Sequence, residues 1–273
     1  MVNTKKIFIS DSLSTDVPGA ASCKSDRNLK VVGKTPDATP EFDHHIAANE
    51  YGFYCIPKDY AAREVPTLLR QGKVYEPDTL KFMARHIGTG DIVTGGAFVG
   101  DFFPAMCQAL QSHAQLHSFE PNPKSYAAAQ HTIQLNNLTN AVLSPVAVGE
   151  TSGILPLQIS RGSGSQAMAA RAKIVDDAQG ENTIDVTVTT LDDLVPDNRK
   201  VSILQLDIEG FELQAILGAR RMIANSKPII ILEAARPRIQ RLYLRTLRNH
   251  FPELNYRAAG VIERNAIFIP TNR

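Results

Sequence analysis

Three short clusters hold the residues of this sequence whose types and spacing could do chemistry. In DIVTGGAFVGD, Gly95, Gly96 and Gly100 follow a short apolar run, with Asp101 directly behind them. Glycine lets a chain turn sharply and admits a ligand where a Cβ would stand in the way, so this stretch suits a strand-to-helix turn against a bound group. In FEPNP, Glu120 ends a second apolar run twenty residues beyond Gly100 and is followed by Pro121 and Asn122. A carboxylate at that place can accept hydrogen bonds from both hydroxyls of a ribose, or serve more plainly as a strand-end acid. In LDIEGFE, Asp207, Glu209 and Glu212 crowd around Gly210. Such acids repel one another unless cations, a helix dipole or water offset their charge, and Glu209 and Glu212 also suit the first turn of a helix.

The glycine turn reads GGAFVG rather than GxGxxG, so the pyrophosphate fingerprint of a dinucleotide site is not met. A ligand with adenosine at one end and an amino acid at the other fits better. Backbone N–H groups at a helix N-terminus suit its carboxylate, and Asp101 and Asp207 suit its ammonium.

These clusters need a scaffold that brings them together, and the pattern around them supplies one. Short apolar runs near 91–94, 116–119, 142–147, 202–206 and 229–233 alternate with helical patterns at about 102–113, 123–136, 211–224 and 236–249. That alternation is the signature of parallel strands joined by crossover helices, hence an α/β fold whose ligands sit at the carboxyl ends of the strands. Residues 183–190 alternate like a further strand, and 256–262 with 265–269 read as a closing antiparallel pair. YGFYCIP reads as a short strand, and Pro77 opens an amphipathic helix ending near Gly88. Residues 1–48, rich in Ser, Thr, Asp, Pro and Ala, read as a partly ordered arm ahead of a catalytic domain over 49–273, and 160–180 read as a lid.

Composition narrows the class further. With 29 Lys and Arg against 28 Asp and Glu, the net charge of +1 gives no general attraction for nucleic acid or anionic membrane. No stretch approaches the roughly 18 apolar residues of a membrane span. Cys23, Cys55 and Cys107 are odd in number and widely spaced, which speaks against a disulfide framework and a zinc motif and suits a reducing cytoplasm. His44 and His45 read as surface residues, and His131 as a structural one.

Six ordered blocks carry a more specific likeness: GAFVGD, SFEPNP, NNLTNAVLSPVAVGE, TTLDDL, LQLDIEGFELQAILGA and PIIILE. From about Tyr51 to Pro270 the sequence resembles the FkbM-type methyltransferases, class I enzymes that use S-adenosylmethionine. The resemblance implies a Rossmann-like, mainly parallel seven-stranded sheet with an antiparallel last strand and helices on both faces. It implies that Gly96, Ala97 and Gly100 line the methionine side of the cofactor, that Glu120 holds the ribose with Pro121, Asn122 and Ala147 nearby, and that Glu76 in VYEPDT approaches from above. One departure stands out: Thr94 occupies the end of the first strand, where this class usually has an acid.

The expected activity is O-methylation of a hydroxyl on a small molecule, such as a sugar or secondary metabolite, with Asp207 or Glu209 as the base. A divalent metal on Asp207, Glu209 and Glu233 is conceivable but not favoured. Oligomerisation stays open. The rival expectations are a non-catalytic binding protein that keeps the fold, which Thr94 favours, and, more remotely, an NAD(P)-dependent oxidoreductase.

Overall fold

The computed structural model describes residues 40–159, 173–174 and 183–272. In chain order its elements are strands β1 (His44–Asn49) and β2 (Gly52–Pro57), helices α1 (Glu64–Arg70) and α2 (Pro77–His86), then β3 (Asp91–Gly95), α3 (Phe103–Ala109), β4 (Leu116–Phe119), α4 (Pro123–Leu135) and β5 (Ala141–Ser144). Four strands follow, β6 (Ala147–Val148), β7 (Gly153–Gln158), β8 (Lys173–Ile174) and β9 (Thr183–Thr189). The chain continues through α5 (Leu191–Leu194), β10 (Val201–Leu206), α6 (Glu212–Leu217), α7 (Arg220–Ser226), β11 (Ile229–Glu233), α8 (Pro237–His250), β12 (Arg257–Ile262) and β13 (Asn265–Ile269).

Among the described residues, seven strands form one sheet in the order β12-β13-β11-β10-β3-β4-β5. β5, β4, β3, β10 and β11 run parallel, while β13 is antiparallel to both its neighbours. This is the class I methyltransferase arrangement expected from the sequence. Strands buried on both faces must be apolar on both, and β11 shows how the two cores divide. Its Ile230 and Leu232 pack with Ala215, Ile216, Met222, Ile223 and Leu247 from α6, α7 and α8. Its Ile229 and Ile231 pack with Leu80, Met83, Phe103 and Met106 from α2 and α3.

Two elements differ from the sequence reading, each for a local reason. The run 142–147 is not one strand: Pro145 has no N–H to give a ladder, and beyond it Ala147–Val148 pairs with β9 in a second sheet, ordered β6-β9-β7-β8. The helix expected over 211–224 is two helices. Gly218 lies between them, where a Cβ would collide with the backbone carbonyl of Gly149. The second helix then has its own cap, because the Asp192 carboxylate accepts from the backbone N–H groups of Arg221 and Met222, both at 2.8 Å.

β1 and β2 form an antiparallel hairpin that begins at His44, within the stretch read as an arm. Residues 1–39 lie outside the described residues, as does the expected lid apart from Lys173–Ile174.

The amino end of β3 is fixed by a buried charge cluster. Asp91 receives hydrogen bonds from His117 Nε2 (2.8 Å), Arg199 Nε (2.6 Å) and the Gln115 backbone N–H (2.9 Å). Burial alone would raise its pKa, but the bonds from His117 and Arg199 more than offset this and hold it at about 2. A depressed folded-state pKa gives stability that is present above the unfolded value near 4 and lost as pH falls through about 2. Asp91→Asn is therefore expected to destabilise the neutral protein by about 3 kcal/mol. Urea denaturation across pH 2 to 7 checks this, and the variant should lack the acid-labile component.

Candidate active site

The carboxyl ends of β3, β4 and β10 deliver the three clusters to one edge of the sheet. Behind β3 the chain turns at Gly96 with φ +80°, and a Cβ there would collide with the backbone carbonyl of Asp207. The turn is tied to both neighbouring strands: Asp207 N–H donates to Gly95 O (3.3 Å) and Ala97 N–H donates to Phe119 O (3.2 Å). Gly100, with φ +78°, closes the turn by donating to Ala97 O (2.7 Å). It does not reach the cavity wall expected of it, because it faces Phe103 and Thr132 behind the turn.

Glu120 is buried, and both of its carboxylate oxygens are oriented by the backbone. Oε2 accepts from Phe98 N–H and Oε1 from Asn122 N–H, each at 2.9 Å. Phe98 presents its N–H by adopting a left-handed φ of +47°. An ionised carboxylate has about four acceptor positions, so each oxygen keeps capacity for a further donor. Burial pushes the Glu120 pKa up to about 7 against the lowering effect of these two bonds. Asn122 also caps α4, its side-chain oxygen accepting from Lys124 N–H (3.0 Å) and Ser125 N–H (3.4 Å).

A cavity of about 280 Å³ opens over this edge. Its wall includes Gly96, Asp101, Glu120, Pro121, Asn122, Ala147, Asp207 and Glu209, all singled out from the sequence. Ala97 and Glu76 border an adjoining recess of about 40 Å³ with Thr94, Gln205, Asp101 and Asp207. Glu233, considered from the sequence only as a metal ligand, also lines the main wall, and the structure adds Arg63, Glu64, Tyr75 and Arg264. Arg63, Glu64 and Tyr75 precede the first strand of the main sheet, where no motif distinguished them. Arg264 comes from the turn between β12 and β13, and only its distant position in the chain hid it.

The acids of this wall share an electrostatic condition. Burial pushes Asp101 up to about 7 and does the same to Glu76, whose hydrogen bond from Asn265 Nδ2 (2.7 Å) lowers it in part. Asp207 stands well above the usual carboxylate range, first through burial and then through the charges of Glu233, Glu209 and Glu76, with a hydrogen bond to Glu233 adding to them. Among the described residues, no Lys or Arg forms an ion pair with Glu76, Asp101, Glu120 or Asp207. Glu76 is not spent on capping α2 either, since Glu263 accepts from Thr79 N–H (3.1 Å), Thr79 Oγ1 (2.6 Å) and Asp78 N–H (3.3 Å). The acids of the cavity and its recess outnumber the two arginines of the wall, Arg63 and Arg264, so the interior leans negative and suits a cationic ligand.

Residues 89–258, more than half of the chain, match the family model described as the methyltransferase FkbM domain. The chain belongs to the FkbM methyltransferase family. Among solved structures it is similar to the methyltransferase FkbM from Methylobacillus flagellatus KT, with 17% identity over 66% of this chain and a TM-score of 0.46. It spans 43% of that protein's chain. It is also similar to precorrin-6y C5,15-methyltransferase from Geobacter metallireducens GS-15, with 14% identity, coverage of 70% and 84% of the two chains and a TM-score of 0.40. A SAM-dependent methyltransferase from Aquifex aeolicus aligns at 10% identity over 72% of this chain and 88% of its own, with a TM-score of 0.39. No curated protein sequence matches the chain.

In this FkbM methyltransferase the loop after β10 turns through two consecutive residues of positive φ. Glu209 has a left-handed φ of +54°, and Gly210 follows at +100°. Glu212 fixes both, its Oε1 accepting from Ile208 N–H (3.1 Å) and Gly210 N–H (3.2 Å) and its Oε2 from Tyr243 Oη–H (3.0 Å). Glu212 is therefore a latch behind the loop, while Asp207 and Glu209 face the cavity. Thr94 borders the recess and donates to Ser118 Oγ (3.2 Å) on the neighbouring strand, with Asp101, Glu76 and Asp207 lining the same recess.

Carboxyl groups with raised folded-state pKa values stabilise the fold when protonated. Their contribution is complete below the unfolded value near 4 and is lost as pH rises through about 7. The ligand-free methyltransferase is expected to be more stable at pH 5 than at pH 8. Glu120→Gln, which keeps the shape without the charge, should flatten that dependence in thermal melts.

Proposed function

We propose that this methyltransferase binds S-adenosylmethionine in the cavity and transfers its methyl group to a hydroxyl oxygen of a small acceptor, such as a sugar or secondary metabolite. The observation that carries the reading is Glu120: a buried carboxylate whose oxygens are aimed by two backbone N–H groups and retain capacity for two ribose hydroxyls. The rest of the wall supports it, since acids in excess of the wall's two arginines suit a ligand bearing an ammonium and a sulfonium. Asp101 and Glu76 hold the ammonium, and the turn at Gly96 and Ala97 offers its backbone to the methionine side. Pro121, Asn122 and Ala147 flank the adenosine.

Bound there, the cofactor supplies an electrophilic methyl carbon. The protein aligns an acceptor oxygen with it, since an in-line displacement depends chiefly on position. Asp207, made more basic by burial and by the charge of Glu233, takes the hydroxyl proton in its ionised form as the oxygen attacks, and Glu209 on the same loop stands by as an alternative acceptor of that proton.

Isothermal titration with S-adenosylmethionine tests the reading directly. Binding should weaken as pH falls from 8 to 6, because protonating Glu120 and Asp101 removes an acceptor and a counter-charge. Glu120→Ala should weaken it by roughly tenfold to a hundredfold, the worth of hydrogen bonds to a charged group. No heat at millimolar cofactor would refute the proposal and favour the non-catalytic reading, which Thr94 supports by leaving its position without charge.

The base is tested separately, with an alcohol acceptor found by screening for transfer of a labelled methyl group. Asp207→Asn should lower kcat by about 10² to 10⁴. Its cofactor affinity should change by much less, which distinguishes lost proton transfer from a damaged cavity.

A further inference from the structure

Away from the cavity, three elements bring together side chains that no sequence spacing connects. His44 comes from β1, Cys55 from β2 and His131 from α4, and one potential ligand atom from each lies within 4.8 Å of the other two. In the hairpin register Cys55 stands opposite Ile46, so His44 is its diagonal neighbour on the same face. Cys55 and His131 are buried, and His44 closes the cluster from the half-exposed side. The two imidazoles meet edge to face, with ring centroids 5.6 Å apart.

The bonds around the rings are those that metal-binding histidines require. His44 Nδ1 is 3.0 Å from the Phe42 carbonyl, and His131 Nδ1 is 3.2 Å from the side-chain oxygen of Gln134. Both partners are acceptors, so each Nδ1 carries the proton and each Nε2 keeps its lone pair. This outer contact fixes the tautomer and orientation of ligating histidines in metal proteins generally. The backbone of Cys55 is held as well: its N–H donates to Thr132 Oγ1 (3.0 Å), which itself donates to Val99 O (2.8 Å).

We infer that His44, Cys55 and His131 form a zinc(II) site that clips the β1–β2 hairpin to α4. Two imidazoles and a thiolate are a ligand set of borderline softness, which zinc accepts in tetrahedral geometry with bonds of about 2.0 to 2.3 Å. Closing the cluster around an ion with such bonds takes about 1 Å of side-chain movement, and the half-exposed side leaves the fourth position to water. As the sulfur–zinc bond forms, the thiol releases its proton to solvent, so binding adds one net positive charge. The ion would steady the helix that starts beside Glu120, because His131 lies in α4, which begins at Pro123 behind its cap Asn122.

The test uses the full chain, stripped with a chelator and then dialysed against zinc or cobalt. One zinc per chain should be retained, and cobalt(II) should give a thiolate charge-transfer band. Cys55→Ser should abolish that band. His44→Gln, a change at the half-exposed ligand that leaves the buried pair in place, should weaken metal binding at least tenfold. Zinc should raise the melting temperature of the parent protein and not that of His44→Gln. Absence of the thiolate band, or equal zinc affinity in the parent and His44→Gln, overturns the proposal, and the histidine pair is then an aromatic contact only. Since neither readout involves methyl transfer, failure here leaves the proposed function untouched.

Discussion

The structure is organised around carboxyl groups gathered at one edge of the sheet, none of them ion-paired with a Lys or Arg among the described residues. Glu76, Asp101, Glu120 and Asp207 come from four separate places in the chain, and each has been lifted out of the usual carboxylate range by loss of water. Such a concentration works against folding at neutral pH, and the remaining structure holds it in place. The two hydrophobic cores on either face of the sheet supply the stability, and the tight turn at Gly96 keeps the strand ends rigid. A binding site that disfavours its own empty state is ready for a ligand of opposite charge, because the ligand removes a repulsion as well as making contacts.

Rigidity at the site comes from residues just behind it. Glu212 ties the loop after β10 to α8 through Tyr243, and Glu263 takes over the capping of α2, leaving Glu76 to face the recess. Each substitution of roles lets an acid at the front keep a raised pKa while the backbone behind it stays satisfied. The left-handed residues Glu76, Phe98 and Glu209 stand at these same points. Backbone of that kind persists where neighbours over-determine it, and here the neighbours are identifiable hydrogen bonds.

Much of this was legible in the sequence. The parallel strands were readable because burial on both faces favours apolar runs, as in 229–233, which matches Ile229–Glu233, while 116–119 matches Leu116–Phe119 although His117 and Ser118 interrupt it. Glycines and strand-end acids marked the cavity for the same reason: a crevice at the carboxyl edge needs turns without side chains, followed by polar groups. What escaped notice depended on long-range contacts. The break at Gly218 is imposed by the carbonyl of Gly149, and the split of 142–147 reflects a second sheet that offers Ala147 and Val148 a different partner. Gly100 carries the same sequence signal as Gly96, yet only the packing of Phe103 and Thr132 shows that it faces away from the cavity. Arg63, Tyr75 and Arg264 reach the wall from regions whose local pattern says nothing about where they end up.

The hairpin ahead of the main sheet is attached in a distinctive way. β2 does not extend the ladder of the seven strands. It rests on α4, where Asn136 donates to Phe53 O (2.7 Å) and accepts from Phe53 N–H (2.9 Å), mimicking with one amide side chain the pair of bonds a neighbouring strand would give. An appendage held by side chains lends no rung to the central sheet, so removing it would leave every strand pairing of that sheet in place. The pairing of the central sheet is thus independent of the hairpin that stands in front of it.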